Sequence, residues 1–239
     1  MKAMIFAAGK GTRLKPVTDH IPKALVPFNG KPLLQVIIEK CKLYGISDIT
    51  VNTHHFAGQI NDFLSNNSNF GVNINISDES ELILDTGGGL KKASKFLSGD
   101  EPILLHNVDI ICDIDLSEFF NQHKKNNSLA TLLVMERNSN RRFLIDYDNN
   151  LCGWENITTK ERKWVSTNNR NLLPVSYCGI AIVESKFLSL IPFNGVFSLI
   201  DVFLEIAKHY PVKTYLSNTI QWFDVGTIEK LEEAQRLFK

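Results

Sequence analysis

The chain has 239 residues, enough for one large domain or two small ones. Its 26 Lys and Arg equal its 26 Asp and Glu, so the formal net charge is zero, and bulk charge offers no surface for nucleic acid or an anionic membrane. No apolar run approaches the ~20 residues of a membrane span. The four cysteines, Cys41, Cys112, Cys152 and Cys178, lack Cys-x-x-Cys spacing, which predicts free thiols in a reducing, cytoplasmic setting and no zinc site or disulfide framework. No signal peptide is expected at the start of the chain.

Residues 3–7 form a short uncharged apolar run, the pattern of a strand buried on both faces in a parallel sheet. Ala8, Gly9, Lys10, Gly11, Thr12 and Arg13 follow at once. Glycines flanking one residue let the backbone turn tightly and approach a ligand with no Cβ in the way. Successive amides in such a turn make an anion-binding concavity. Arg13 and Lys23 add fixed positive charge, so the stretch is predicted to hold a triphosphate. Gly-x-Gly alone suits a surface turn equally. A dinucleotide loop would want a third glycine and an immediate helix, whereas Pro16 and Pro22 interrupt this region. A P-loop Gly-Lys-Ser/Thr is absent.

Residues 31–44 read as a helix, with Leu33, Leu34, Ile37, Ile38 and Cys41 at helical spacing and Gly45 placed to end it. Residues 48–53 read as a strand, 56–64 as a helix and 71–77 as an alternating strand. Alternation of this kind argues for a parallel α/β architecture with right-handed crossovers. His54 and His55 are adjacent, so their side chains diverge, and no metal site is predicted there. Asp85, Thr86, Gly87, Gly88 and Gly89 lead into a helical pattern that Asp85 or Thr86 would cap; the glycines suit the approach of a planar base or a phosphate, or a plain flexible turn. Residues 102–107 form a further buried strand running into Val108 and Asp109, and an acid at the carboxyl end of such a strand lies where α/β sheets place their sites. Asp113 and Asp115 are read as caps for a helix over 116–124. Residues 128–135 read as a strand, 141–151 as a hairpin turning at 148–150, and 158–171 as a loop or edge hairpin over a ligand site. In the strand 175–183, Gly179 marks either a bulge or close approach of a ligand. A helix over 199–207 and strands over 212–216 and 219–223 follow. Asp224 then ends a strand as Asp109 does, and Thr227 caps the last helix.

These motifs together resemble the sugar nucleotidyltransferases. Gly-x-Gly-Thr-Arg at 9–13, Pro22-Lys23, the Asp-Thr-Gly-Gly-Gly stretch at 85–89, Asn107-Val108-Asp109 and Asp224-Val225-Gly226-Thr227 carry the resemblance across nearly the whole chain. Val108 departs from the small residue usual at that place. The resemblance implies a Rossmann-like three-layer α/β/α fold around a mixed, mostly parallel sheet, in a single domain with a small β-rich sugar-site insertion near 136–178. It implies nucleotide binding by Ala8, Gly9, Gly11, Thr12, Arg13, Lys23, Thr86, Gly87, Gly88 and Asn107, with Arg13 and Lys23 catalytic. Asp109 and Asp224 would bind Mg2+, and Tyr177, Gly179 and Asp109 would line the sugar. The compact length and triple glycine are most similar to the branch that couples UTP to N-acetylmuramate 1-phosphate in cell-wall recycling; mannose and heptose 1-phosphate guanylyltransferases are near relatives. Arg162, Lys163 and Arg170 are candidates to face the lactyl carboxylate. No C-terminal β-helix is expected. A nucleotide-sugar glycosyltransferase and a silent nucleotide-sugar sensor remain as readings from other classes, and the oligomeric state, monomer or homodimer, is open.

The inventory suits phosphoryl-type transfer, which needs positioning and charge neutralisation and no protein nucleophile. A sugar 1-phosphate, with a second pKa of about 6 by analogy with phosphorylated side chains, already carries a nucleophilic oxygen near neutral pH.

Overall fold

The computed structural model describes residues 1–166 and 171–238. Its centre is a ten-stranded sheet. Lys2–Phe6 lies between Asp48–Thr53 and Ile103–Asn107, parallel to both, and Asn73–Asp78 continues this parallel half. On the far side of Ile103–Asn107, the long strand Leu173–Val183 joins antiparallel and makes the sheet mixed. It also pairs with Ala130–Met135, which carries Val212–Leu216 in parallel. Near its start it pairs with Arg141–Ile145, from which Leu151–Asn156 and the edge strand Glu161–Trp164 extend an antiparallel arm.

The unbroken apolar character of the first strand has a simple cause. Ala3 and Ile5 face one buried cluster, packed by the helices Leu33–Leu43, Ala57–Asn66, Leu116–Asn126 and Ile228–Leu237. Met4 and Phe6 face the other, packed by Asp85–Leu97 and Leu199–Ala207. Helices cover both faces, so every position from Ala3 to Phe6 is buried, as parallel strands require. The chain thus adopts the three-layer α/β/α architecture. Asp115 caps its helix by accepting from the amides of Ser117 and Glu118 at 2.8 and 3.1 Å; Thr227 caps the last helix. Gly45, at φ 73°, ends the first one. No helix among the described residues is long and apolar enough to cross a membrane.

Three local expectations need correction. The strand expected over 219–223 is Trp222–Asp224, and it lies outside the main sheet. It pairs antiparallel with Ile110–Cys112 in a separate ribbon, closed by two hydrogen bonds between Gln221 and Asp113. The three glycines are not a loop before a helix; they lie within the first turns of Asp85–Leu97, and neither Asp85 nor Thr86 caps it. Within 158–171 the chain forms the edge strand Glu161–Trp164, whose Trp164 packs where Gly153 on the next strand leaves room for no Cβ; residues 167–170 lie outside the described residues, and with them Arg170.

Candidate active site

The first strand delivers Ala8 and Gly9 to a cavity of about 190 Å3, whose wall also includes Lys23, Asn107 and Asp109. The loop behind it is held by its own geometry. Gly11 sits at φ 66°, and a Cβ there would meet the Thr18 methyl at 2.9 Å; the Thr18 hydroxyl donates to the Gly11 carbonyl at 2.8 Å. A residue with a side chain fails here on both counts. No described acceptor takes the amides of Gly9, Lys10 or Gly11, so they are available to an anion. Thr12 and Arg13 form the exposed single turn that follows, outside the cavity wall.

Two wall residues escaped the sequence reading. Asn52, next to last in its strand, is buried, accepting from the Ala7 amide and donating to Glu79, both at 2.7 Å. Glu79 is 0% exposed, and its second oxygen accepts from the Leu84 amide at 2.9 Å. This buried network ties the loop after the first strand to the approach of the helix Asp85–Leu97, and its polar atoms are satisfied as burial demands. Nothing in the polar and apolar pattern of the strand Asp48–Thr53 singles Asn52 out, and Glu79 lies in a loop.

Asp109 and Lys23 form an ion pair at the cavity wall. The branched Val108 does not disturb this: its side chain is buried in the core and its amide donates to the Phe6 carbonyl at 3.2 Å. Asp224 arrives beside Asp109 through the ribbon, since Asp224 pairs with Ile110 and the Val225 amide donates to the Asp109 carbonyl at 2.9 Å. The Asp224 carboxylate accepts from the Gly226 amide at 3.0 Å and lies 3.5 Å from the Lys230 ammonium. Arg13 reaches the same turn: a Cβ on Gly226 would lie 2.6 Å from its Nη2 and 2.8 Å from Asp224 Oδ1. Arg13, Lys23, Asp109 and Asp224 are therefore gathered along one rim.

Gly87 and Gly88 are not turned to the cavity. Their amides donate to the Phe197 carbonyl at 3.0 and 3.2 Å, and a Cβ on Gly88 would stand 2.4 Å from the Gly195 carbonyl oxygen. The glycines let this helix press onto the segment before Leu199. Asp85 and Thr86 carry the wall instead. Gly179, at φ 76°, sits where the strand register shifts between Tyr177 and Ala181, and a Cβ there would stand 2.9 Å from the Asn107 side-chain nitrogen; it is a bulge that leaves room for Asn107.

A second cavity, of about 450 Å3, opens over the antiparallel arm and shares Asp85 with the first. Tyr177, Phe143 and Trp154 give it an aromatic floor, and Arg137, Arg141 and Lys163 bring charge. Burial raises the Tyr177 phenol above its ordinary value, so it stays neutral.

Residues 2–151 match the nucleotidyl transferase family. The chain belongs to that family. It is 32% identical over 237 residues to the N-acetylmuramate alpha-1-phosphate uridylyltransferase of Neisseria meningitidis serogroup B, covering 99% of this chain and 98% of that one. It is 28% identical over 250 residues to the UTP–glucose-1-phosphate uridylyltransferase of Synechocystis, covering 99% of this chain and 63% of that one. Among solved structures, UDP-glucose pyrophosphorylase complexed with UDP-glucose superposes with a TM-score of 0.79 at 18% identity, over 99% of this chain and 97% of that one, which shows the shared fold. The family places this chain among the sugar-1-phosphate nucleotidyltransferases.

Proposed function

We propose that the chain condenses UTP with N-acetylmuramate 1-phosphate to give UDP-N-acetylmuramate and pyrophosphate, as a cytoplasmic enzyme of cell-wall sugar recycling. The observation that carries this reading is the shared wall. Asp85 borders both cavities, so a nucleotide in the first and a sugar in the second meet beside Lys23 and Asp109. The full-length relative from Neisseria, matched end to end, supports the choice of substrates. One domain carries both sites, with the β-rich segment near 136–178 as its sugar side.

In the reaction an oxygen of the sugar phosphate attacks the α-phosphorus of UTP; that P–O bond forms, the bond to the β-phosphate oxygen breaks, and pyrophosphate leaves with the electron pair. No general base is needed. Lys23 holds the α-phosphate and the incoming phosphate. Arg13, on its exposed turn, receives the β- and γ-phosphates, and the free amides of residues 9–11 cradle them. These charges sit ready before the reaction, which is where most electrostatic catalysis comes from.

The donor set fits magnesium. Asp109, in the turn that leads into Ile110–Cys112, and Asp224, on the strand paired with it, offer hard carboxylate oxygens. Magnesium is commonly held in this way, by one or two carboxylates with substrate phosphates completing its shell. When bound, it neutralises phosphate charge and orients the leaving pyrophosphate.

The test is pyrophosphate release from a panel of the four common nucleoside triphosphates against muramate, glucose, mannose and heptose 1-phosphates. Highest kcat/KM with UTP and N-acetylmuramate 1-phosphate is expected. Preference for GTP with mannose or heptose phosphate rejects the substrate pair and keeps the transfer chemistry; no pyrophosphate from any pair restores the glycosyltransferase and sensor readings.

A further inference from the structure

The second cavity contains six charged side chains, and they are unevenly paired. Lys163 donates to Asp201 at 2.7 Å and lies 3.5 Å from Glu161, so one ammonium is shared by two carboxylates. Arg162, which the sequence also offered, is turned away: its Nε donates to Glu155 at 3.1 Å, and the Arg142 guanidinium donates to the same carboxylate at 2.5 Å. Neither is free to take an anion from the substrate.

Arg137 and Arg141 differ from these. Both line the cavity, and among the described residues neither has an ion-pair partner. Arg137 is half-buried. Its guanidinium lies 4.3 Å from the Trp222 ring centroid and donates to the Tyr177 carbonyl at 3.2 Å, while its Nε is buried with no acceptor. The indole is fixed in turn, donating from Nε1 to the Cys178 carbonyl at 2.9 Å. A guanidinium packed on an aromatic ring and tied to a backbone carbonyl is held in place, and its remaining N–H donors match the geometry of a planar anion. Arg141 stands at the start of the neighbouring strand Arg141–Ile145, exposed and unpaired, on the same cavity.

We propose that Arg137 and Arg141 form the clamp that binds a carboxylate on the sugar, making the second cavity selective for sugar 1-phosphates that carry a second anionic group on the ring. Glu161 and Asp201, which share Lys163, add carboxylate oxygens to the same cavity, suited to hydroxyl donors. This rests on the reading of the two cavities as nucleotide and sugar sites.

The experiment compares N-acetylmuramate 1-phosphate with N-acetylglucosamine 1-phosphate, which lacks the lactyl carboxylate, in the wild type and in Arg137→Gln, Arg141→Gln and Arg162→Gln. Pyrophosphate release is measured with UTP, together with Tm. Each clamp variant is expected to raise KM for the carboxylated sugar by about tenfold or more, the scale of a lost charge-assisted contact. KM for UTP and for the neutral sugar should stay unchanged, as should all parameters in Arg162→Gln. Arg141→Gln, at an exposed position, gives the answer even where Arg137→Gln lowers Tm. Equal KM increases for both sugars overturn the clamp and assign the arginines to the phosphate common to both. Unchanged KM for the carboxylated sugar in both clamp variants also overturns it, and leaves the nucleotidyltransferase reading standing. A wild type that uses only the neutral sugar overturns the clamp but not the transfer reaction; a wild type inactive with every pair in the wider panel overturns the functional reading itself.

Discussion

Lys23 and Asp109 neutralise one another at the wall of the first cavity. Both are assigned elsewhere in the reaction, Lys23 to phosphate and Asp109 to magnesium, so the pair must open when a metal–nucleotide complex enters. On these proposed roles, Lys23 competes with the metal for Asp109 until phosphate draws it away. Lys23→Met is expected to lower kcat by roughly 10²-fold or more, the scale seen when a pre-organised charge donor is removed. It should also tighten binding of Mn2+ offered alone, because Asp109 loses its internal counterion. Asp109→Asn should lower kcat comparably but weaken Mn2+ binding. Steady-state kinetics and calorimetry with the cation alone read both effects, and a Lys23→Met enzyme of wild-type kcat would reject the assignment.

Gly226 has an ordinary backbone conformation, yet the space a Cβ would take holds Arg13 Nη2 at 2.6 Å and Asp224 Oδ1 at 2.8 Å. Both neighbours are ends of side chains on the rim, able to move without disturbing the core. Gly226→Ala should therefore displace Arg13 and Asp224 together. The expected result is a fall in kcat of about tenfold or more with Tm nearly unchanged, since Gly→Ala at an unstrained position costs the fold little and can stabilise it. A large loss of Tm with kcat retained would show that the turn is structural only.

Much of this arrangement is legible from local pattern. The apolar runs at 3–7 and 102–107 announce strands buried on both faces, and the caps Asp115 and Thr227 stand where their helices begin. Gly9, Lys23 and Asp109 line one cavity, and Asp224 comes beside Asp109. The unreadable parts depend on long-range pairing. Nothing local says that Trp222–Asp224 leaves the main sheet to pair with Ile110–Cys112, or that Asn52 and Glu79, 27 residues apart, lock together behind the loop. Arg162 and Arg137 look alike in sequence; only the partner strand, with Glu155 beside one and Trp222 under the other, separates a neutralised arginine from an available one.

The glycines divide the same way. At Gly9 a Cβ would meet nothing within 4 Å, and Gly9 lines the nucleotide cavity. At Gly88 it would strike the Gly195 backbone. Gly9→Ala is thus expected to leave Tm unchanged and raise KM for UTP. Gly88→Ala should be destabilising by about 1–3 kcal/mol, the cost of overpacking, or roughly 2–12 °C in Tm for a chain of this size. Thermal unfolding and nucleotide titration of the two variants distinguish a glycine kept for a ligand from one kept for packing; equal Tm for both would contradict the close contact seen at Gly88.

His106 lies in the central strand, directly opposite Ile5 on one side and Ile180 on the other. Its Nδ1 is 2.8 Å from the Asn107 carbonyl, a geometry in which the ring N–H donates, while Nε2 is buried with no partner. Burial drives the imidazole down from 6.5 to about 3, so the folded protein holds it neutral. The unfolded chain takes up a proton below its ordinary value and the folded chain does not until far lower pH. Stability from this group is therefore complete above the unfolded value and is lost as pH falls through the interval between the two. The slope is at most about 1.4 kcal/mol per pH unit, or about 2 kcal/mol by pH 5. His106→Leu removes the titrating ring and its unpaired nitrogen while keeping an apolar side chain against Ile5 and Ile180. Urea unfolding at about pH 7 and pH 5 should show a smaller stability loss in the variant than in the wild type by about that amount, because every other titrating group contributes equally to both. An identical loss in the two proteins would mean that the imidazole takes up its proton in the folded state near its usual pH, and that water reaches the centre of the sheet.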